Sequence, residues 1–321
     1  MSSSSLKRLL LATAVAAAAV ASLPAQASFN SIVFFGDSLS DTGNVWWASG
    51  KTQPLAPYFQ GTSGFPIAST GGQWSDYLGP SWPTVFAAKY GLLASPSIVG
   101  GNNFAWGGAR TGVNPSSGGV PWLEQQVDQY LTAVPTPSAM TLHAVMIGGN
   151  DVANNLGNPA AITNGVGSII GSLTDLYNAG GRQFLVANVP DVGDTPLFRS
   201  LGAPTAAGAT AFTMAWKSAL GTALNGLSLP DASIGFLDLF ALGKDPANLV
   251  GLDNTTDACF SNGIVCQDPT KYFYWDPFHP TSRTHAVIAN AAALAVPEPE
   301  TYLLFAVGLA ALAWRSRKRA R

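Results

Sequence analysis

The sequence predicts an α/β protein, a three-layer α/β/α sandwich with a central parallel sheet, and two observations carry the prediction. Short, near-continuous apolar runs recur along the chain, each stopping at glycine, proline or polar residues. Runs of this kind suit strands buried on both faces. Between and after them lie longer segments whose apolar residues fall at helical spacing. Alternation of the two types builds a parallel sheet covered by helices.

In order, the first strand covers residues 31–35 and ends at Gly36. The second covers 142–147 and ends at Gly148 and Gly149. A third covers 184–189 and ends at Pro190, and a fourth, less regular, covers 234–239. A helix is expected over 121–134, where Trp122, Leu123, Val127, Tyr130 and Leu131 share a face and Pro121 suits the first turn. Helices over 160–179 and 206–227 tolerate internal glycines, and a closing helix over 281–294 takes Thr281 or Ser282 as its cap. Residues 50–119, rich in Gly, Pro, Ser and Trp, read as long loops over the carboxyl edge of the sheet. Folds of this class bind their ligands at that edge.

The two ends of the 321-residue chain read differently from the middle. Lys7 and Arg8 precede an apolar run to about Ala21, then Pro24 and the triplet Ala25-Gln26-Ala27. Basic, apolar and small-residue regions in that order define a secretory signal peptide over 1–27, removed by signal peptidase after Ala27. At the other end, Pro297-Glu298-Pro299 precedes an apolar stretch over 302–314 and a basic tail from Arg315 to Arg321. The stretch is marginal in length as a transmembrane segment. Cations just beyond it favour holding that end on the cytoplasmic side. The three-part order closely resembles the PEP-CTERM sorting signal of Gram-negative bacteria. That resemblance implies transient inner-membrane anchoring by 297–321 and cleavage near Pro-Glu-Pro by an exosortase-type processing enzyme. The protein is then exported, to the periplasm, the outer surface or the medium, and the working domain is 28–296.

Seven of the 16 basic residues lie in the two ends, with only two of the 18 acidic ones. The body therefore carries nine basic and 16 acidic side chains, a formal charge of −7, without a basic stripe. That excludes nucleic acid as a natural partner. Cys259 and Cys266 are the only cysteines, and in an oxidising compartment a local disulfide is plausible beside two free thiols. No histidine stands near them at metal-ligand spacing, so no metal is expected, and nothing points to a cofactor.

Four clusters could carry chemistry. Gly36-Asp37-Ser38-Leu39, continuing to Ser40-Asp41-Thr42-Gly43-Asn44, follows the first strand and places a serine hydroxyl beside free backbone N–H groups. Read alone, it is ordinary turn and capping chemistry. Asn102-Asn103-Phe104-Ala105-Trp106-Gly107-Gly108-Ala109-Arg110-Thr111 has glycines that let backbone approach a ligand, or is a plain loop. Gly148-Gly149-Asn150-Asp151 aims an amide at an oxyanion, or forms a turn. Asp276-Pro277-Phe278-His279-Pro280 sets an acid three residues before a histidine. Such an acid can bond one ring nitrogen and leave the other free to take a serine proton. His143, inside a strand, and His285, inside the last helix, read as structural.

Together, in this order, the clusters closely resemble the GDSL/SGNH hydrolases, from about Ile32 to Ala295. The resemblance implies a flavodoxin-like sandwich and a serine esterase or lipase. Ser38 matches the family nucleophile, and Asp276 and His279 its Asp-x-x-His block. Asn150 and Gly108 match the oxyanion-hole donors beside the Ser38 N–H, with Gly107 as a neighbouring alternative to Gly108. No Gly-x-Ser-x-Gly occurs, so the nucleophile elbow of the larger α/β hydrolases is missing. The long Ser-Asp-Thr-Gly-Asn extension is nearest to exported lipase- and phospholipase-like members, which implies lipid or simple acyl esters as substrate. Removal of acyl groups from an exopolysaccharide is the alternative, and an inactive surface or matrix binding module is the alternative of another class. Trp46, Trp47, Trp74, Trp82 and Trp106 crowd the expected loops, either to line a substrate pocket or to pack beneath it.

Overall fold

The computed structural model describes residues 29–61, 71–112 and 119–296. The first apolar run forms β1 (Ser31–Gly36), followed by α1 (Asn44–Ala48), an antiparallel pair β2 (Tyr58–Phe59) and β3 (Gln73–Asp76), and α2 (Trp82–Lys89). Next come α3 (Leu123–Ala133), β4 (Thr141–Met146), α4 (Gly149–Asn154), α5 (Pro159–Ala179) and β5 (Gln183–Ala187). They lead to α6 (Pro196–Ser200), α7 (Ala203–Gly226), β6 (Ser233–Leu237), α8 (Leu239–Leu242) and α9 (Pro246–Leu249). The chain closes through β7 (Asn254–Ala258), the hairpin β8 (Phe260–Ser261) and β9 (Ile264–Val265), β10 (Tyr272–Tyr274) and α10 (Ser282–Ala295).

The four expected strands form one parallel sheet in the order β1-β4-β5-β6. Its register aligns Phe35 with Val145, Val145 with Val186 and Val186 with Phe236. Outside β1, the Phe34 N–H donates to Asn102 O at 3.1 Å and the Phe104 N–H to Phe34 O at 2.7 Å. Residues 102–104 thus lie along β1 as a fifth parallel member reduced to a single bridge. With that member the order becomes the flavodoxin-like one, whose direction of winding reverses between β1 and β4. Crevices form at such a reversal, and the chain places its Gly-Asp-Ser turn after β1 and Gly-Gly-Asn-Asp after β4.

Helices cover both faces. On one, Val33, Phe35, Val145, Phe184 and Val186 pack against α3, α5 and α7 through Leu123, Val127, Leu173 and the fully buried Trp216. On the other, α2 and α10 pack together, and the Phe34 ring meets Trp82 and Phe86 edge-on at 5.5 and 6.3 Å. Buried Ile288, Ala289 and Ala292 give α10 its inward face. Its start is settled by Thr281, whose side chain accepts the Thr284 N–H. Losing such a cap costs about 1 kcal/mol.

Several boundaries differ from expectation for local reasons. Pro121 stands before the α3 cap, Trp122, and contributes its carbonyl to Gln126 Nε2 rather than a first-turn residue. Helix α7 begins at Ala203, because Gly202 (φ 98°) breaks the preceding turn and Pro204 suits the new one. Within 50–119, expected to be loops, stand β2, β3 and α2. Helix α2 escaped the sequence reading because Trp82, Thr84, Phe86 and Ala87 are buried around it and leave no amphipathic period. Trp82 is therefore core, its indole N–H donating to Ser40 Oγ. Among the described residues no helix is long and apolar enough to cross a membrane. The expected signal peptide over 1–27 and the 302–314 stretch lie outside the described residues.

Candidate active site

Gly36 ends β1 where only glycine fits: a Cβ there would meet Met146 O at 2.2 Å. Its N–H and carbonyl are held by the buried Gln126 side chain of α3 at 2.8 and 2.9 Å. The chain then turns so that Asp37 O accepts the N–H groups of Ser40 and Asp41. This turn presents Ser38, largely buried, over the sheet edge.

The loop after β10 brings its partner from the far end of the sequence. The His279 carbonyl accepts the Trp275 N–H at 2.8 Å, closing a tight turn over 275–279. Within it, His279 Nε2 lies 2.8 Å from Ser38 Oγ, and His279 Nδ1 lies 2.7 Å from Asp276 Oδ2. The Asp276 carboxyl is nearly buried, and desolvation alone would raise its pKa. The charge and hydrogen bonds of His279, with the Tyr58 hydroxyl, overcome that and hold it down at about 2. An ionised carboxylate only accepts, so Nδ1 carries the imidazole proton and Nε2 accepts from the serine hydroxyl.

Polar side chains stitch the other clusters to this one. Asp41 Oδ2 accepts the N–H groups of Val45 and Gly107, tying the serine turn to the glycine loop. Asn44 donates to the carbonyls of Asn103 and Ala105, both at 2.8 Å. Thr111 donates through N–H and hydroxyl to Asp151, and Asn150 Nδ2 donates to Ala109 O at 2.9 Å. The Gly107 N–H is thus committed to Asp41, whereas those of Ser38 and Gly108 donate to no group among the described residues. Asn150 Nδ2 carries a second hydrogen beyond the one given to Ala109. Gly108 takes φ 80°, a left-handed conformation that favours glycine.

The remaining histidines stand apart from this chemistry. Burial lowers His143 to about 4 and His285 to about 3. His143 lies near Tyr130 Oη and Gln183 O, and His285 near the Trp82 N–H and Trp74 O. Among the described residues no cluster of three or more His, Cys, Asp or Glu could hold a metal ion.

Two neighbours of the histidine were not anticipated as such. Tyr58 Oη donates to Asp276 Oδ2 at 2.7 Å, and the Trp74 ring stacks on the His279 imidazole with centroids 4.9 Å apart. Both come from the β2–β3 pair, which Asp76 anchors to α10 by accepting from Ser282 N–H and Oγ. In the sequence Trp74 is one of five tryptophans in the expected loops, and Tyr58 carries no local signal. Trp46 and Trp47 are half-buried beneath Lys51 Nζ, and Trp106 packs against the main core cluster.

A flavodoxin-like sheet bearing a hydrogen-bonded Ser-His-Asp chain at its winding reversal defines a hydrolase of the acyl-transfer class. Comparison makes the assignment particular: the family model GDSL-like Lipase/Acylhydrolase matches residues 32–292, and the chain belongs to that family. It is a serine hydrolase acting on carboxylic esters. A GDSL esterase/lipase of Arabidopsis thaliana is 28% identical, covering 88% of this chain and 92% of its own. A phosphatidylcholine-sterol acyltransferase of Aeromonas hydrophila is 28% identical over 78% of this chain and 69% of its own. An acetylesterase of Thermothelomyces thermophilus is 29% identical over 88% and 94%. The PEP-CTERM protein-sorting motif matches residues 295–318, so the chain also carries that C-terminal signal.

Proposed function

We propose that the protein is an exported esterase that hydrolyses lipid or simple acyl esters through an acyl-enzyme on Ser38. The observation that carries this reading is the hydrogen-bonded chain from Ser38 through His279 to Asp276. Ser38 Oγ attacks the ester carbonyl carbon as its proton passes to His279 Nε2. Asp276 orients the imidazole and stabilises its charged form. The oxyanion is bound by the N–H groups of Ser38 and Gly108 and by Asn150 Nδ2. As the tetrahedral intermediate collapses, the carbonyl carbon loses the alcohol oxygen, which takes the proton from His279. A water then gives His279 a proton, attacks the acyl carbon, and the acid leaves as the proton returns to Ser38 Oγ.

The sorting motif supports export from a Gram-negative cell. In this reading 1–27 is removed as a signal peptide, 28–296 does the chemistry, and an exosortase-type enzyme processes 297–321. A second reading, removal of O-acetyl groups from an exopolysaccharide, draws on the acetylesterase relative. Fluorophosphonate labelling of the purified protein with peptide mapping tests the mechanism. Probe on Ser38, lost in His279→Ala, is the expected result. A folded protein that takes no probe would instead be the inactive binding module. Asn150→Ala should lower kcat by about 10²–10³-fold.

A further inference from the structure

Between the histidine and the glycine loop stands one side chain that the acyl-transfer steps above leave without a role. The Trp74 indole lies over the face of the His279 imidazole, the two planes 27° apart and the centroids 4.9 Å apart. Its other edge reaches the backbone of the glycine loop. A Cβ built on Gly107 would meet Trp74 Nε1 at 2.7 Å and Cε2 at 3.2 Å. Gly107, unlike Gly108, does not take a left-handed φ, so its missing side chain serves to leave room for the indole.

Hydrogen bonding does not account for that placement. Trp74 Nε1 is buried and donates to no group among the described residues, which is unfavourable for a polar atom. A phenylalanine would avoid that cost and still cover the imidazole, but it lacks the edge that fills the space over Gly107. The strand that bears the ring is also well anchored. Gln73 Oε1 accepts the Ser81 N–H at 2.8 Å, and the Trp74 carbonyl lies 3.2 Å from His285 Nε2. The Tyr58 ring meets the indole edge-on at 5.7 Å.

We propose that Trp74 is a positioning residue for the hydrolysis: its face carries the imidazole and its edge sets the glycine loop. One side chain thereby fixes the base at Ser38 relative to the Gly108 N–H. The inference rests on the proposed acyl-enzyme at Ser38 and adds a residue that acts through His279 and the loop. His279 becomes a cation as it takes the serine proton, and an indole attracts a cation over its face more strongly than the other aromatic rings do. A displacement of about 1 Å between reacting groups can cost about a hundredfold in rate. An effect of this kind belongs in kcat rather than KM.

The experiment measures hydrolysis of p-nitrophenyl butyrate by the full-length protein, Trp74→Leu, Trp74→Phe, Gly107→Ala and the double variant of the last two. Circular dichroism and fluorophosphonate labelling are recorded for each. Trp74→Leu should lower kcat about 10–100-fold with KM changed less than about threefold. Trp74→Phe, which keeps a ring on the imidazole, should lose only about threefold. Gly107→Ala should cost about tenfold in kcat beside Trp74 but about twofold beside Phe, where only Val45 Cγ2 stays near the new Cβ. An equal cost of Gly107→Ala in both backgrounds overturns the inference, as does a loss carried by KM. The Trp74→Phe and Gly107→Ala cycle decides the matter even where Trp74→Leu does not fold. A wild type labelled on Ser38 in which the two losses simply add rejects the role of Trp74 and leaves the serine mechanism standing. A folded wild type without labelling or activity removes the mechanism and this role together.

Discussion

A carboxylate that orients a histidine must itself be held, and Asp276 is held by four donors. Oδ1 accepts the N–H groups of Phe278 and His279, each at 2.7 Å, and Oδ2 accepts from His279 Nδ1 and the Tyr58 hydroxyl. Tyr58→Phe removes one charge-assisted bond and leaves the ring contacts with Trp74 and Trp275 in place. Such a bond is worth about 1.5–3 kcal/mol, part of which reaches the transition state through His279. Steady-state kinetics should therefore show kcat lowered about tenfold with KM little changed, since the group does not touch substrate. Tyr58 and Trp74 lay outside the reach of sequence reasoning. The Tyr58–Asp276 bond joins residues 218 apart in the chain, and neither partner sits in a segment with a periodic pattern. By contrast the blocks that hold Ser38, Gly108, Asn150, Asp276 and His279 are short and contiguous, and the structure brings Ser38, His279 and Asp276 into one hydrogen-bonded chain. The residue beside Ser38 sets a pH dependence. Burial, reinforced by the charge of Asp151, raises Asp37 from 3.8 to about 7 against opposing hydrogen bonds and His279. Burial alone raises Asp151 to about 6, against its hydrogen bonds from Thr111 and the charge of Arg110. A raised folded pKa contributes stability that is complete below the unfolded value and lost as pH climbs through the folded one. Urea unfolding of the wild type should weaken between pH 4 and 7.5. In Asp37→Asn the decline above pH 6 should be shallower than in the wild type, since Asp37 no longer titrates there. Asp276, held low, acts oppositely and withdraws its contribution only as pH falls from 3.8 toward 2.

At the scale of elements, the hairpin β8–β9 supports the histidine loop from behind. Its turn, Asn262-Gly263, takes φ 51° and 77°, both left-handed, as a two-residue hairpin of this hand requires. Cys259 and Cys266 flank it and are joined in a disulfide. The Cys259 N–H donates to Tyr274 O and the Phe260 N–H to Trp275 O, while the Phe260 ring stacks on Trp275 at 5.4 Å. Trp275 immediately precedes Asp276, so the hairpin holds the chain from which Asp276 and His279 project. Closing so short a loop is worth about 2–3 kcal/mol. Reduction, or Cys259→Ser with Cys266→Ser, should lower Tm by about 5–10 °C in calorimetry. Activity should fall before global unfolding, because Asp276 loosens first. An unchanged activity–temperature profile would show the hairpin to be ornamental to the site. Neither this hairpin nor its contact with Trp275 is among the elements expected from the sequence. Strands β1, β4 and β5 were legible because burial on both faces writes a continuous apolar run, whereas β6, an edge strand with Phe236 exposed, gave the less regular fourth. The fifth member beside β1 was not legible, since its polar residues 102 and 103 are spent on cross-links to β1 and the serine turn.

At the scale of the whole molecule, charge decides what approaches the site. Residues 28–296 carry a formal charge of −7, and no compensating cationic stripe runs through them. Around Ser38 the same sign is concentrated: Asp37, Asp41, Asp151 and Asp276 all lie near the sheet edge, and Lys244 and Arg283 are engaged in pairs with Asp191 and Thr270 O. Protonation of Asp37 and Asp151 below neutrality moderates this field without reversing it. An ester bearing a carboxylate in its alcohol part should therefore meet a repulsion that a neutral ester of the same acyl chain does not. Mobile ions shorten the reach of that repulsion, from about 30 Å at 0.01 M salt to about 8 Å at 0.15 M. The kcat/KM for the anionic ester should rise severalfold across this range, while that for the neutral ester stays flat. Because the effect lies in encounter rather than chemistry, it should appear in KM and leave kcat unchanged. Equal salt responses for the two esters would mean that the local field at the site differs in sign from that of the body, and would direct attention to Lys244 and Arg283.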